Sequence, residues 1–142
     1  MSVRTVPDSK TEKIIIDTYA WIEYFRGGPE AKVAAKFIDA DLVLLTPAMV
    51  VAELSDKYRR SGLGEIWEKE RLLFVGIKSD IVPIDVTIAD MAGKIKVEKR
   101  KEFDDFGLGD ALILAVARIN KARILTGDKH MRTDANTIDI TK

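Results

Sequence analysis

Four acidic side chains stand where the neighbouring residues are apolar: Asp17 in IIIDTYAW, Glu53 in AMVVAEL, Asp110 in GLGDALILAVA and Asp128 in ARILTGDKHM. Taken singly, each has an ordinary reading. Asp17 after a strand suits a helix N-cap, and Asp110 at the start of an apolar helix suits that helix's positive end equally well. Asp128 in TGDK reads as a turn residue. Glu53 is harder to place, because Met49, Val50 and Leu54 surround it at helical spacing and desolvate its face. If the four meet, the energetics change. Two carboxylates about 5 Å apart repel by about 3 kcal/mol at an effective dielectric near 20, so such a cluster requires protons or a divalent cation. Hard oxygen ligands select magnesium or manganese, and an ion so held can activate water and clamp the oxygens of an in-line phosphoryl displacement. Thr18 and Thr126, beside the strand-end aspartates, could hydrogen-bond a carboxylate, a water or a phosphate, although a β-branched residue ending a strand needs no such role.

The elements that must bring these residues together follow from periodicity. KIIID reads as a short buried strand and TYAWIEYF as a helix stopped by Gly27, Gly28 and Pro29. PEAKVAAKFIDA has helical spacing and DLVLLT is a second strand. TPAMVVAELSDKYRR opens a helix with Thr46 predicted as N-cap and Pro47 at the first helical position. A helical hairpin runs through SGLG into EIWEKERLLFVGI. DIVPID is a third strand, VTIADMAGKIKVEKRKE a helix that becomes basic, FDDFGLG a loop, and DALILAVARINK a helix apolar nearly all round. ARILT and TIDI are the last strands. Short apolar strands alternating with helices predict an α/β fold, a three-layer sandwich around a mainly parallel sheet. In such folds the working site lies at the carboxyl ends of the strands, where Asp17 and Asp128 follow strands and Glu53 and Asp110 sit near helix starts.

At 142 residues the chain is expected to form a single domain spanning residues 1–142, with about 1–12 a frayed N-terminal segment. Without cysteine there are no disulfides or thiolate zinc sites, and with one histidine any metal site is built mainly from oxygen. No stretch approaches the ~20 apolar residues of a membrane helix, which predicts a soluble, cytoplasmic protein. Lys plus Arg equals Asp plus Glu at 23 each, so any nucleic-acid binding must be local.

Local candidates are Lys57, Arg59 and Arg60, which end the Glu53 helix, and the run Lys94, Lys96, Lys99, Arg100 and Lys101. Either group could track an RNA backbone; the run equally suits a solvated helix face, and Lys57, Arg59 and Arg60 suit the C-terminal dipole of their helix. His130 is predicted to point to solvent, and Asp104 and Asp105 to be loop charges. Leu63, Trp67 and Phe74 in the hairpin read as core residues or as a dimer face. SGLG and GLGD lack the lysine and the spacing of nucleotide-binding glycine loops. An aspartyl-phosphate phosphatase using Asp17 would call for an acid two residues on, where Tyr19 stands. A non-catalytic scaffold binding magnesium or RNA remains a third alternative.

IIIDTYAWIEYF, TPAMVVAEL, GLGDALILAVA and ARILTGDKHM in this order resemble the PIN-domain family over nearly the whole chain, and the small size is similar to its VapC-type toxin branch. The resemblance implies a metal-dependent endoribonuclease acting on single-stranded RNA, with Asp17, Glu53, Asp110 and Asp128 as its acidic residues. It also implies a homodimer and, for the toxin branch, a small antitoxin partner; a housekeeping RNA-processing nuclease is the alternative within the family. Met131 departs from the pattern, standing where an aromatic often follows the last aspartate.

Overall fold

A computed structural model describes residues 12–132, 134 and 136–142; the expected frayed segment, apart from Glu12, falls outside them. Five parallel strands form one sheet in the order β3-β2-β1-β4-β5. β1 (Lys13–Ile16) is central, paired with β2 (Val43–Pro47) on one side and β4 (Arg123–Thr126) on the other. A central strand of a helix-flanked sheet is covered on both faces, and Ile14, Ile15 and Ile16 are accordingly fully buried. β3 (Asp80–Val82) and β5 (Thr137–Asp139) are short edge strands. The sheet is thus parallel throughout rather than mainly so.

Parallel strands need crossovers, and helices supply them. α1 (Thr18–Arg26) leaves β1 and stops at Gly27, whose φ of 70° lies in the left-handed region that glycine tolerates without strain. α2 (Pro29–Ile38) returns to β2, and α3 (Ala48–Arg60) leaves it. α4 (Gly64–Ile66) continues through a π-helical turn, Trp67–Arg71, into α5 (Leu72–Lys78). α6 (Val86–Lys99) is capped by Asp85, whose carboxylate accepts from Ile88 N–H. α7 (Leu108–Asn120) is buried continuously from Ala111 to Ala117, as its composition predicts.

Three predictions of detail are corrected. Thr46 is not an N-cap: β2 runs on through Pro47, which itself precedes α3, and the Thr46 side chain is buried in the sheet. Its hydroxyl accepts the Trp21 indole N–H at 3.1 Å and meets Ser79 Oγ at 2.6 Å, and Ser79 in turn donates to the Val75 carbonyl. The basic helix α6 ends at Lys99, earlier than its composition suggests, because the chain turns there and Phe103 N–H bonds back to the Lys99 carbonyl. Of the hairpin residues, Trp67 is core, stacked on Tyr58 at 5.7 Å, whereas Leu63 and Phe74 are exposed.

The Thr46 bridge makes a test of the core. Thr46→Val keeps the shape but strands the Trp21 N–H in an apolar interior, and should lower unfolding free energy by about 1–3 kcal/mol in denaturant titration. Unchanged stability would show that the bridge contributes nothing.

Candidate active site

All five strands end at one edge, and β1 and β4 are neighbours there. Asp17 follows Ile16 directly, and Asp128 follows Thr126 by two residues. Asp17 does cap α1, as its position after a strand suggests: its Oδ1 accepts from Ala20 N–H at 2.9 Å. Capping leaves the carboxylate with further oxygen valence, and the Thr126 hydroxyl bonds to it. The group is only 3 % exposed. Burial is the main reason its pKa is pushed up to about 7, with the charges of Asp128 and Asp110 adding to the rise and the two hydrogen bonds opposing it.

Asp110 is not the residue that opens α7. The N-cap is Gly107, and Asp110 is the third helical residue, so the reading of this aspartate as a cap falls away. Its pKa is pushed up to about 6, first by burial and then by Asp128, with Glu53 and Asp105 contributing and His130 opposing. Glu53, one turn into α3, accepts the Thr18 hydroxyl at 2.6 Å. α7 can approach it closely because residue 109 is glycine: a Cβ there would lie 3.3 Å from Glu53 Oε2. Asp128 is held from both ends, its N–H donating to Thr126 Oγ1 at 3.0 Å and its Oδ1 accepting His130 N–H at 2.8 Å. The same turn is tight at Gly127, where a Cβ would fall 2.3 Å from the Tyr19 ring.

The four carboxylates open into one cleft of about 210 Å³, shared with Thr18, Tyr19 and Lys57. Larger depressions lie beside Tyr24, one of 710 Å³ toward Pro29 and one of 520 Å³ toward Phe74, but neither contains the acidic residues. Of the predicted basic residues only Lys57 reaches the cleft. Arg59 pairs with Glu68 at 2.8 Å and Arg60 with Asp56 at 2.9 Å, both on the exposed side of α3. Lys99 is largely buried against Asp134 at 3.8 Å, and Arg100 Nε donates to the Phe106 carbonyl at 2.7 Å. Arg100 thus fastens the loop after α6 while staying exposed, whereas Lys99 reaches Asp134 ahead of β5 and leaves the solvated basic face that the sequence suggests.

His130 overturns its predicted place in solvent. Its side chain is 14 % exposed, packed edge-on against Phe103 and Phe106, with Nε2 2.9 Å from Asp105 Oδ1. Nδ1 faces Asp128 Oδ1 at 3.5 Å and Asp110 Oδ2 at 3.7 Å. Asp105 is therefore more than a loop charge, and its carboxyl is held below the usual range chiefly by the His130 hydrogen bond. Asp104 remains exposed in the loop. No sequence signal marked His130, because Phe103 and Phe106, which enclose it, lie more than twenty residues away.

The donor set suits a hard divalent cation. Anionic oxygens outnumber nearby cations, and burial, together with their mutual repulsion, raises the proton affinity of Asp17 and Asp110. Aspartates at the strand ends, with Glu53 and Asp110 carried in on two helices, define a parallel α/β protein with an acidic centre at its strand edge. The PIN domain family model matches residues 14–135, and the chain belongs to that family.

Solved structures of the same fold include a toxin–antitoxin complex from Klebsiella pneumoniae, 20 % identical with a TM-score of 0.68, covering 89 % of this chain and 97 % of that one. VapBC-1 of nontypeable Haemophilus influenzae is 20 % identical with a TM-score of 0.71, over 92 % and 99 %. Mycobacterium tuberculosis VapC20, described as a sarcin-ricin loop cleaving toxin, is 16 % identical with a TM-score of 0.67, over 82 % and 90 %. No curated protein matches the chain in sequence.

Proposed function

We propose that the chain is a divalent-metal-dependent endoribonuclease hydrolysing phosphodiester bonds of single-stranded RNA, and the toxin of a toxin–antitoxin pair. One observation carries the reading: Asp17, Glu53, Asp110 and Asp128, drawn from four separate segments, share one cleft at the strand edge. Magnesium or manganese held by these four would activate water and offset charge on the phosphoryl oxygens. The chain's own work is orientation. Ala20 N–H and the Thr126 hydroxyl aim Asp17, and Thr18 aims Glu53. Asp128 is set by the turn that Thr126 and His130 close. Lys57 at the cleft places an ammonium where a backbone phosphate would enter.

The toxin assignment is supported by the fold shared with the Klebsiella and Haemophilus complexes. A small antitoxin and a homodimer belong to the same reading. Exposed Leu63, Leu72, Leu73, Phe74 and Ile77 supply apolar surface on the α4–α5 arm for such contacts. Among the described residues no helix is long and apolar enough to cross a membrane, which agrees with a cytoplasmic site of action.

The direct test is incubation of purified protein with single-stranded RNA, duplex RNA and single-stranded DNA of one sequence, with manganese, with magnesium and with chelator. Cleavage is expected for single-stranded RNA with either metal and none in chelator. Metal-independent cleavage, or none of any substrate, would overturn the reading.

A further inference from the structure

His130 is the only histidine in the chain, and its ring is positioned with more care than a surface residue needs. The backbone is tied to Asp128 by its own N–H, and the ring meets Phe103 and Phe106 at 5.4 and 6.0 Å with interplanar angles of 74° and 72°. The loop bearing those rings is fixed by Arg100 through the Phe106 carbonyl. Two elements therefore agree on where the imidazole points.

Its two nitrogens meet opposite demands. Asp105 is an exposed carboxylate and accepts only, so the 2.9 Å contact puts a proton on Nε2. On the neutral ring the Nδ1 lone pair then faces Asp128 Oδ1 and Asp110 Oδ2, at 3.5 and 3.7 Å. Both distances exceed those of a good hydrogen bond, and a lone pair directed at two anionic oxygens is at ease only with positive charge beside them, either a second ring proton or a cation. One oxygen from each aspartate and one ring nitrogen lie within 4.8 Å of one another. Metal–ligand bonds of about 2.1 Å put neighbouring ligands about 3 Å apart, so closing on an ion draws the ring nitrogen, at 3.5 and 3.7 Å from the two oxygens, in by about half an ångström and the carboxylates by at most about 2 Å. A carboxylate on the far nitrogen of a ligating histidine is the arrangement that fixes tautomer and ring direction in metal sites.

We propose that His130 is a nitrogen ligand of the divalent cation at the Asp110–Asp128 side of the cleft, oriented by Asp105, so that the centre favours manganese and other first-row transition cations over magnesium. This rests on the reading of the cleft as a metal centre. Imidazole is a good ligand for transition ions and a poor one for magnesium, and the sequence pattern of acids alone does not distinguish the two.

The test uses full-length protein without a histidine tag, loaded with manganese and studied by pulsed electron paramagnetic resonance. With a single histidine, selective ¹⁵N-histidine labelling assigns any nitrogen coupling to this ring. A manganese–nitrogen coupling that changes from ¹⁴N to ¹⁵N on labelling is expected. Asp105→Ala, an exposed change that leaves the core intact, should weaken manganese binding about 10- to 100-fold by calorimetry. Magnesium binding should fall less, so the manganese-to-magnesium affinity ratio drops; taking the ratio cancels the general loss of one negative charge. Manganese binding that Asp128→Asn abolishes, but that gives no nitrogen coupling, would overturn the proposal and leave the carboxylate centre standing. Manganese binding indifferent to both Asp110→Asn and Asp128→Asn would overturn the centre itself.

Discussion

Asp110→Asn is expected to lower RNA cleavage by about 10²- to 10³-fold, the rate equivalent of roughly 3–4 kcal/mol of lost charge stabilisation. The amide is nearly isosteric, so shape and helix register are kept while one anionic ligand is lost. Asp110 makes no capping bond, since Gly107 occupies the N-cap of α7, and its neighbours in the cleft are Asp128, Glu53 and His130. A raised pKa means that ionising this group costs the metal-free fold at neutral pH. The variant should therefore melt in chelator at the same temperature as the parent or higher. Cleavage rate with manganese and melting temperature in chelator are the paired measurements, and Glu53→Gln should behave in the same direction. Undiminished cleavage would remove Asp110 from the mechanism, whereas a marked drop in melting temperature would return it to a structural role in the first turn of α7.

Asp17→Asn should separate the same two quantities through pH. Its folded pKa of about 7 lies above the unfolded value of 3.8. Between those values the unfolded chain has lost a proton that the folded one keeps, so stability falls as pH rises through this window and levels off above it. For this fully buried group the loss amounts to as much as about 4 kcal/mol, since holding the proton across each pH unit of the window is worth about 1.36 kcal/mol. Asparagine carries no such charge and is as good an N-cap, with its oxygen free to accept from Ala20 N–H. In chelator the variant is expected to match the parent near pH 4 and to exceed it at pH 8, by denaturant titration at each pH. Added manganese should narrow the gap at pH 8. The parent gains about 2.7 kcal/mol at a hundredfold excess over its dissociation constant, and the variant gains far less. Parallel stability curves for the two proteins between pH 4 and 8 would show that the Asp17 charge carries no such cost.

Asp17, Glu53, Asp110 and Asp128 could be singled out from the chain alone because each offends its apolar surroundings, and alternation of strands and helices puts all four near one sheet edge. Main-chain geometry does this locally. A parallel strand must be followed by a crossover helix, so a residue after one strand and a residue after another arrive at the same edge whatever the side chains between them. The same locality explains the errors. Thr46 followed by Pro47 has the chemistry of a helix start, yet pairing with β3 extends the strand through Pro47, and Trp21 and Ser79 claim the hydroxyl. Lys99 continues a basic pattern that looks solvated until Asp134, far along the chain, packs against it.

By itself, then, the sequence determined the order of elements, the apolar central strand and α7, and which acidic residues lie at the strand ends, since these depend on neighbours a few positions apart. Tertiary structure alone decided side-chain direction and desolvation. It raised Asp17 toward neutrality by covering it, and it brought Gly109 of α7 against Glu53 of α3. It also turned His130 inward between Phe103, Phe106 and Asp105. The reason is that the proton affinity of a group depends on every charge and hydrogen bond within several ångströms of it, and most of those partners are distant in the chain.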